Sequence, residues 1–399
     1  MPAMDLLAAA RAILPEIVDT RRRIHRHPEL GLELPVTQRL VAARLEELGL
    51  EPQLGRGLSS VTARIGADRP GRTVLLRADM DALPMPEETG LEFASEVDGA
   101  MHACGHDTHV AMLLGAARLL VDAAAADPSA LPGPVVLMFQ PGEEGFAGSR
   151  HMIEEGLLEG LDPATTRALA VHISARYPSG ELHSRPGPMQ ASADNFFITI
   201  HGRGGHASTP HLAADPIPVA AEIVLALQTA VTRSVDVFDP AVLTVAHLDA
   251  GTTHNVIPER AFLEGTYRCV SDVRRAAMPE LIRRVAEGVA AAHGLGVHVR
   301  FQEIYPVTMN DPEVFEAVRA IAVDLVGETD VHTMAAPIMP AEDWSFVLQR
   351  IPGVMVDLGA RPRDRALEGY PQNHSSTVVF DEAAMAVGAA LYAKAALEL

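Results

Sequence analysis

The sequence predicts an α/β fold: a mostly parallel central sheet with flanking helices, interrupted by a smaller α+β domain of ferredoxin-like pattern. Three observations predict it. First, short apolar runs at 73–77, 135–139 and 168–171 alternate with helix-periodic stretches such as 108–125, the pattern of strands buried on both faces. Second, the pattern changes near Pro186-Gly187-Pro188. Beyond that point come a half-exposed strand at 195–201, a helix at 216–232, strands at 242–247 and 261–268, a helix at 279–293 and a strand at 297–302. That order is the split pattern of a small α+β module. Third, buried-strand character returns after Pro306, with a run at 354–358. Residues 1–187 and 303–399 therefore read as one domain, and 188–302 as an insertion into it. Ahead of the first strand, 5–27 and 36–50 read as helices, the second closing at Gly49.

The 399 residues are 48% apolar, enough for a large core. The formal charge of −20 excludes nucleic acid and anionic membranes as partners, because both would be repelled. It also requires a local cation to draw in any anionic substrate. The longest apolar region, 110–126, is broken by Arg118 and Asp122, so it reads as a buried or amphipathic helix and not a membrane span. Residues 1–19 carry charges on a helix-like pattern, with no expected targeting signal. Two cysteines, Cys104 and Cys269, make no disulfide framework, so a reduced, cytoplasmic protein is expected. They fall in different predicted domains, which disfavours a redox protein.

The chemistry-bearing residues follow buried strands. They are Asp79 and Asp81 after the first, Glu143 and Glu144 after the second and His172 after the third, with Cys104 and His106 leading into the 108 helix. In open α/β sheets, ligands bind at the carboxyl ends of the strands. In extended chain, residues two apart face one side, so Cys104 and His106 are expected to aim at one point across Gly105, and Asp79 and Asp81 to share a face. Neighbours diverge, so one of Glu143 and Glu144 would bind a metal while the other stays free as a base. Thiolate, imidazole and carboxylate together suit zinc or a similar first-row ion.

Taken singly, the residues have ordinary readings. A lone cysteine or histidine belongs more often to core or surface, Glu143-Glu144 to a solvated turn, and Asp79 to a helix cap. His25 and His27 read as caps of the first helix, Gly204-Gly205-His206 as a turn, Asn255 as part of a strand entry and Arg268 as a surface pair. His201 and His211 read as surface, and His151, His183 and His332 as structural.

In combination, the segments 74–84 (Val-Leu-Leu-Arg-Ala-Asp-Met-Asp-Ala-Leu-Pro), 101–109 and 140–145 resemble the aminoacylase and carboxypeptidase family of co-catalytic metallohydrolases. The resemblance points to its amidohydrolase branch, with hippurate hydrolase, indole-acetyl-amino-acid hydrolases and N-acyl-amino-acid aminoacylases. His27-Pro28-Glu29, Gly204-Gly205-His206-Ala207, His254-Asn255-Val256-Ile257-Pro258 and Glu342-Asp343 match in order. The resemblance implies that Cys104, His106, Glu144, His172 and His374 bind two divalent ions, zinc or manganese, with cobalt or nickel as alternatives. It makes Glu143 the general base and Asp81 the carboxylate that orients a ligand. It makes the insertion a lid and a homodimerisation module. Its His206 would enter the partner subunit's site, while Asn255 and Arg268 hold an N-acyl amino acid. The chain departs from the family pattern at Asn373-His374-Ser375-Ser376, where a proline often follows the histidine, and at 334–344, which lacks the usual small-residue lead into Glu342-Asp343.

The implied reaction is metal-assisted hydrolysis of the N-acyl amide to a carboxylic acid and an amino acid, with lid closure expelling water. A metallo-carboxypeptidase or dipeptidase using the same metals is the alternative. A catalytically dead binding protein would have lost Glu143 or a ligand, and neither is lost.

Overall fold

The computed structural model describes residues 5–399, so the targeting reading of 1–19 begins in residues outside those described. The chain divides into two compact units. One comprises the residues up to Met189 with Met309–Ala336 and Asp343–Leu399, and the other Gln190–Thr308 with Pro337–Glu342.

The first unit is built on an eight-stranded sheet. Its strand order is Gln53–Leu54, Val61–Ile65, Val135–Gln140, Thr73–Asp79, Thr166–Pro178, Gly353–Arg361, Leu182–Ser184, Val331–Thr333. The four central strands, from Val135–Gln140 to Gly353–Arg361, run parallel, and the antiparallel pairs lie toward the edges. The central strands read as unbroken apolar runs because each faces two cores in alternation. Val74, Leu76, Leu137, Phe139, Leu169, Val171, Val354 and Val356 pack into one. Leu75, Val136, Met138, Ala168, Ala170 and Met355 pack into the other. Period-2 geometry requires this split once both faces are covered. The first core is closed by the helices Leu14–His25, His106–Ala126 and Ala384–Glu398. His106–Ala126 is the one described helix long and apolar enough to cross a membrane by length and composition, yet it is largely buried as a core helix.

The second unit has the strand–helix–strand–strand–helix–strand order. Its antiparallel sheet runs Ala241–Ala250, Arg260–Cys269, Ala193–His201, Gly296–Tyr305. Phe196, Ile198 and Ile200 alternate inward with Ala261, Leu263 and Tyr267. They meet Val219, Ala220, Ile223 and Leu227 of Pro216–Ser234, and Met278, Leu281, Ile282 and Ala286 of Asp272–Ala292, at helical spacing.

Three elements differ from the sequence expectation. The expected helix over 5–27 is two helices, Leu6–Ala12 and Leu14–His25. Pro15 sits in the first turn of the second, where its missing N–H and its ring prevent continuation from the first. The helix expected to start at Pro279 starts at Asp272 instead, capped by Ser271, whose Oγ accepts the Arg274 N–H at 3.0 Å. Burial of Met278, Leu281 and Ile282 carries it through the proline. The strand expected at 168–171 runs over Thr166–Pro178, because pairing with Gly353–Arg361 continues after the apolar run ends.

Candidate metal centre

That longer strand puts His172 inside the sheet rather than after it. Asp79 and Gln140 are the last residues of their parallel strands, so the carboxyl ends of two strands and the middle of the adjacent Thr166–Pro178 strand carry the site. Pro141 and Gly142, the latter at φ 73°, stop the Gln140 strand and turn the chain into Glu143-Glu144.

Cys104 lies at the middle of the donor set. Its Sγ is 3.5 Å from His172 Nε2 and 3.2 Å from His374 Nε2. Glu144 Oε1 is 3.3 Å from His374 Nε2 and 4.0 Å from His106 Nε2. Three donor triplets, Cys104–His106–His172, Cys104–Glu144–His374 and His106–Glu143–Glu144, each have their ligating atoms within 4.8 Å of one another. The structure therefore brings together all five residues expected to bind metal, together with Glu143.

Two local expectations are corrected. Cys104 and His106 do not converge through extended alternation: Gly105 is left-handed at φ 87°, and His106 is the first residue of its helix. A Cβ at Gly105 would lie 2.3 Å from Ile173 Cγ2, so only glycine makes this turn against the sheet. Glu143 and Glu144 do not diverge either; both carboxylates come within reach of His106, because the turn after Pro141 replaces the extended chain assumed for them. Asp79 caps no helix. It is buried, 2.7 Å from Arg77 Nη1, and hydrogen-bonded to His109 Nδ1. Asp81 takes a different course from Asp79: its two oxygens accept the Glu143 N–H at 2.9 Å and the Glu144 N–H at 3.0 Å.

The donor atoms fit a cation. Both ring nitrogens of His106 are buried and make no hydrogen bond, and the buried Glu144 Oε1 faces His374 Nε2 at 3.3 Å. His172 Nδ1 stands 2.7 Å from the Ile173 carbonyl oxygen; only N–H can donate there, which leaves Nε2 a free lone pair facing Cys104. Burial drives His172 well below the ordinary imidazole range and so keeps it neutral. Burial opposes charge on His106 too, but Asp79 and the Cys104 sulfur outweigh it and hold His106 well above its usual value. Hydrogen bonds to Cys104 and Glu144 raise His374 to about 10. Without an ion, the anionic groups thus recruit protons as their positive charge.

The model of peptidase family M20/M25/M40 matches residues 75–398. The chain belongs to this family. The M20 chain is accordingly an enzyme of hydrolase type. It is 40% identical to thermostable carboxypeptidase 2 of Saccharolobus solfataricus, over 99% of each chain. It is 37% identical to N-acetylcysteine deacetylase of Bacillus subtilis, over 98% of each. The solved structure of a dinuclear metal-binding M20 peptidase from Bacillus subtilis superposes with a TM-score of 0.83 at 34% identity, covering 97% of this chain and 98% of that one.

Several residues of the M20 site receive no individual role from the sequence. His109 lies beside His106, but its Nε2 accepts the Ile173 N–H at 2.7 Å, so its proton sits on Nδ1 against Asp79 and no lone pair remains. Asn373 holds the base of the cluster: its Nδ2 donates to the Cys104 and Ile173 carbonyls at 3.1 and 3.0 Å, and its Oδ1 accepts the Ala175 N–H at 3.0 Å. His374 beside it is left-handed at φ 69°, which marks backbone strain at a functional position. Arg77, Gln140 and Ser149 gather on Asp343, with Arg77 Nη2 at 3.0 Å and Gln140 Nε2 at 2.7 Å from its carboxylate. This gives Glu342-Asp343 its place in the first unit through Asp343. His27 does cap its helix, its Nδ1 lying 3.2 Å from the Arg23 carbonyl. His25 does not: it is buried, 2.8 Å from Asp107 Oδ2.

In the second unit, His206 and Asn255 are neighbours. His206 pairs with Val256, and the Asn255 carbonyl accepts the Ala207 N–H at 3.1 Å. Both are exposed. His206 Nδ1 accepts the Ser208 N–H at 3.1 Å, so the neutral ring carries its proton on Nε2. Arg268 is on Arg260–Cys269, opposite Val242, and is no surface pair: its Nη1 is buried and makes no hydrogen bond.

Proposed function

We propose that this enzyme hydrolyses the amide bond of N-acyl-L-amino acids, with two divalent ions held by Cys104, His106, Glu144, His172 and His374. The observation that carries this reading is the convergence of those five donors with Glu143 at the carboxyl ends of parallel strands. The name of the similar deacetylase and the dinuclear metal binding of the similar peptidase support it. Zinc or manganese suits the mixed thiolate, imidazole and carboxylate set. Ions bound there supply Lewis acidity and a water of lowered pKa.

The protein's own residues do the rest. Asp81 fixes the main chain of Glu143 and Glu144, so the two carboxylates are aimed by one clamp. The Glu143 carboxylate takes the proton of the attacking water and returns it to the leaving amine. His206 offers Nε2–H to the developing oxyanion, in the tautomer that Ser208 selects. The Arg268 guanidinium, whose buried Nη1 makes no hydrogen bond, binds the substrate α-carboxylate, aided by the Asn255 amide. We further infer a homodimer through the second unit, in which His206 serves the partner's site, and a cytoplasmic setting that keeps Cys104 reduced.

The carboxypeptidase name of the 40%-identical relative supports a second reading. Either reaction releases an amino acid with a free α-carboxylate, so Arg268 serves both. A panel of N-acetyl, N-benzoyl and longer N-acyl amino acids, run beside dipeptides and blocked peptides on metal-loaded enzyme, decides between them. Higher kcat/KM on simple N-acyl amino acids is expected; higher kcat/KM on peptides makes the enzyme a carboxypeptidase.

A further inference from the structure

Three side chains that play no part in this reaction meet at the edge of the large sheet. The strands Leu182–Ser184 and Val331–Thr333 pair in parallel with His183 opposite His332. Each strand has three residues, and Val331–Thr333 is the outermost of the sheet. Paired residues share a sheet face, so the two rings stack, with centroids 4.4 Å apart and planes at 18°. Tyr177 stacks on His183 at 3.6 Å. Glu181 Oε2 lies 2.9 Å from His183 Nε2 and 3.5 Å from His332 Nε2. One ligating atom from each of the three residues falls within 4.8 Å of the others.

Two features separate this cluster from a plain ion pair at a sheet edge. His332 Nε2 is a buried atom that makes no hydrogen bond, although Glu181 is beside it. Burial, over the opposing pull of Glu181, and the neighbouring His332 hold His183 below the ordinary imidazole range, which keeps its ring available as a neutral ligand. The cluster is also distinct from the catalytic centre. Asp357 pairs with both His172 and His183, so His172, Asp357, His183 and His332 form one cross-strand row. Three strand spacings put His332 about 14 Å from His172.

We propose that Glu181, His183 and His332 form a further divalent-cation site, taking a first-row ion such as zinc through two imidazoles and one carboxylate. Three protein donors with water completing the shell is an established coordination for zinc. The ion takes the Nε2 lone pair of each neutral ring, the His183 proton shifting to Nδ1, so binding weakens as falling pH protonates the imidazoles. Bound there, it ties the outermost strand to its neighbour, and occupancy raises stability rather than turnover.

The test uses zinc itself on the full-length enzyme, with His332→Ala, His332→Gln and Glu181→Gln beside the wild type. Zinc per chain is measured by elemental analysis after gel filtration, affinity by titration calorimetry, and Tm with and without added zinc. The wild type is expected to hold one more zinc per chain than each variant. Each variant should lose at least ~100-fold in affinity at this site, since even an outer-shell change costs about 10–100-fold. With the catalytic ions already in place, further zinc should raise Tm in the wild type alone, and turnover at saturating catalytic metal should be unchanged in all four proteins. His332→Gln keeps a side chain that can hydrogen-bond Glu181, so a folded variant is available for the comparison. Equal zinc content in the wild type and His332→Gln, or a wild-type Tm indifferent to zinc beyond the catalytic ions, overturns the proposal.

Discussion

Asp81 Oδ1 accepts the backbone N–H of Glu143 at 2.9 Å. The same carboxylate takes the Glu144 N–H through Oδ2 and stands 3.5 Å from His106 Nδ1. One buried side chain therefore holds the main chain of both proposed roles, Glu143 as base and Glu144 as ligand, and lies beside the His106 ring. In Asp81→Asn, whichever way the amide turns, one of the two N–H groups faces a donor. A hydrogen bond to a charged group is worth about 1.5–3 kcal/mol, so kcat should fall about 10- to 100-fold. KM should move little, and metal content, read by elemental analysis, should stay near the wild-type value. Wild-type kcat in this variant means that Asp81 does not position Glu143.

Gly105 lies under Ile173, and the packing leaves no room for a methyl group. Gly105→Ala forces a left-handed alanine, at about 1–3 kcal/mol, and overpacks the contact, at about 1–3 kcal/mol more. Urea unfolding should show a loss within the sum of those ranges, and metal affinity should drop because Cys104 and His106 flank the turn. Unchanged stability and metal affinity contradict the account of how these two ligands converge.

Glu143 and Glu144 are neighbours with separate assigned roles, although both reach His106. Glu143→Gln is expected to lose at least ~10²-fold in kcat and keep its metals, because proton transfer is lost while the donors remain. Glu144→Gln is expected to lose metal as well. Metal loss in Glu143→Gln but not in Glu144→Gln reverses the two assignments.

Arg268 presents a buried Nη1 without a hydrogen bond in a chain of formal charge −20. On the proposed reading, the substrate carboxylate supplies its acceptor. Arg268→Ala should lower kcat/KM on an N-acyl amino acid by about 10- to 100-fold, the worth of a charge-assisted contact. The methyl ester of the same substrate should be cleaved slowly by the wild type and hardly less well by the variant. Equal rates on acid and ester mean that the carboxylate is not read, and the enzyme is then a general amidase.

Much of this was legible in the sequence because the signals were local. Runs such as 135–139 are apolar throughout since both faces are covered, and the inserted unit alternates because one sheet face carries helices. Cys104, His106, Glu144 and His172 were visible as a motif set. Their convergence was anticipated for the wrong local reason, since period-2 logic fails where Gly105 turns left-handed. His109 was illegible as a supporting residue, because its state depends on an N–H from Ile173, 64 positions away. Asn373 and the His183–His332 pair were likewise set by contacts between distant strands and loops, which no periodicity encodes.

The central claim is that amide hydrolysis runs on ions held by the Cys104 cluster. The most direct measurement removes metal with a chelator, verifies its loss by elemental analysis, and follows hydrolysis of an N-acyl amino acid while zinc or manganese is returned stoichiometrically. Activity should vanish with the metal and rise in proportion to the ions restored, reaching full value at two per catalytic centre. Full activity in protein verified to be free of metal contradicts the account.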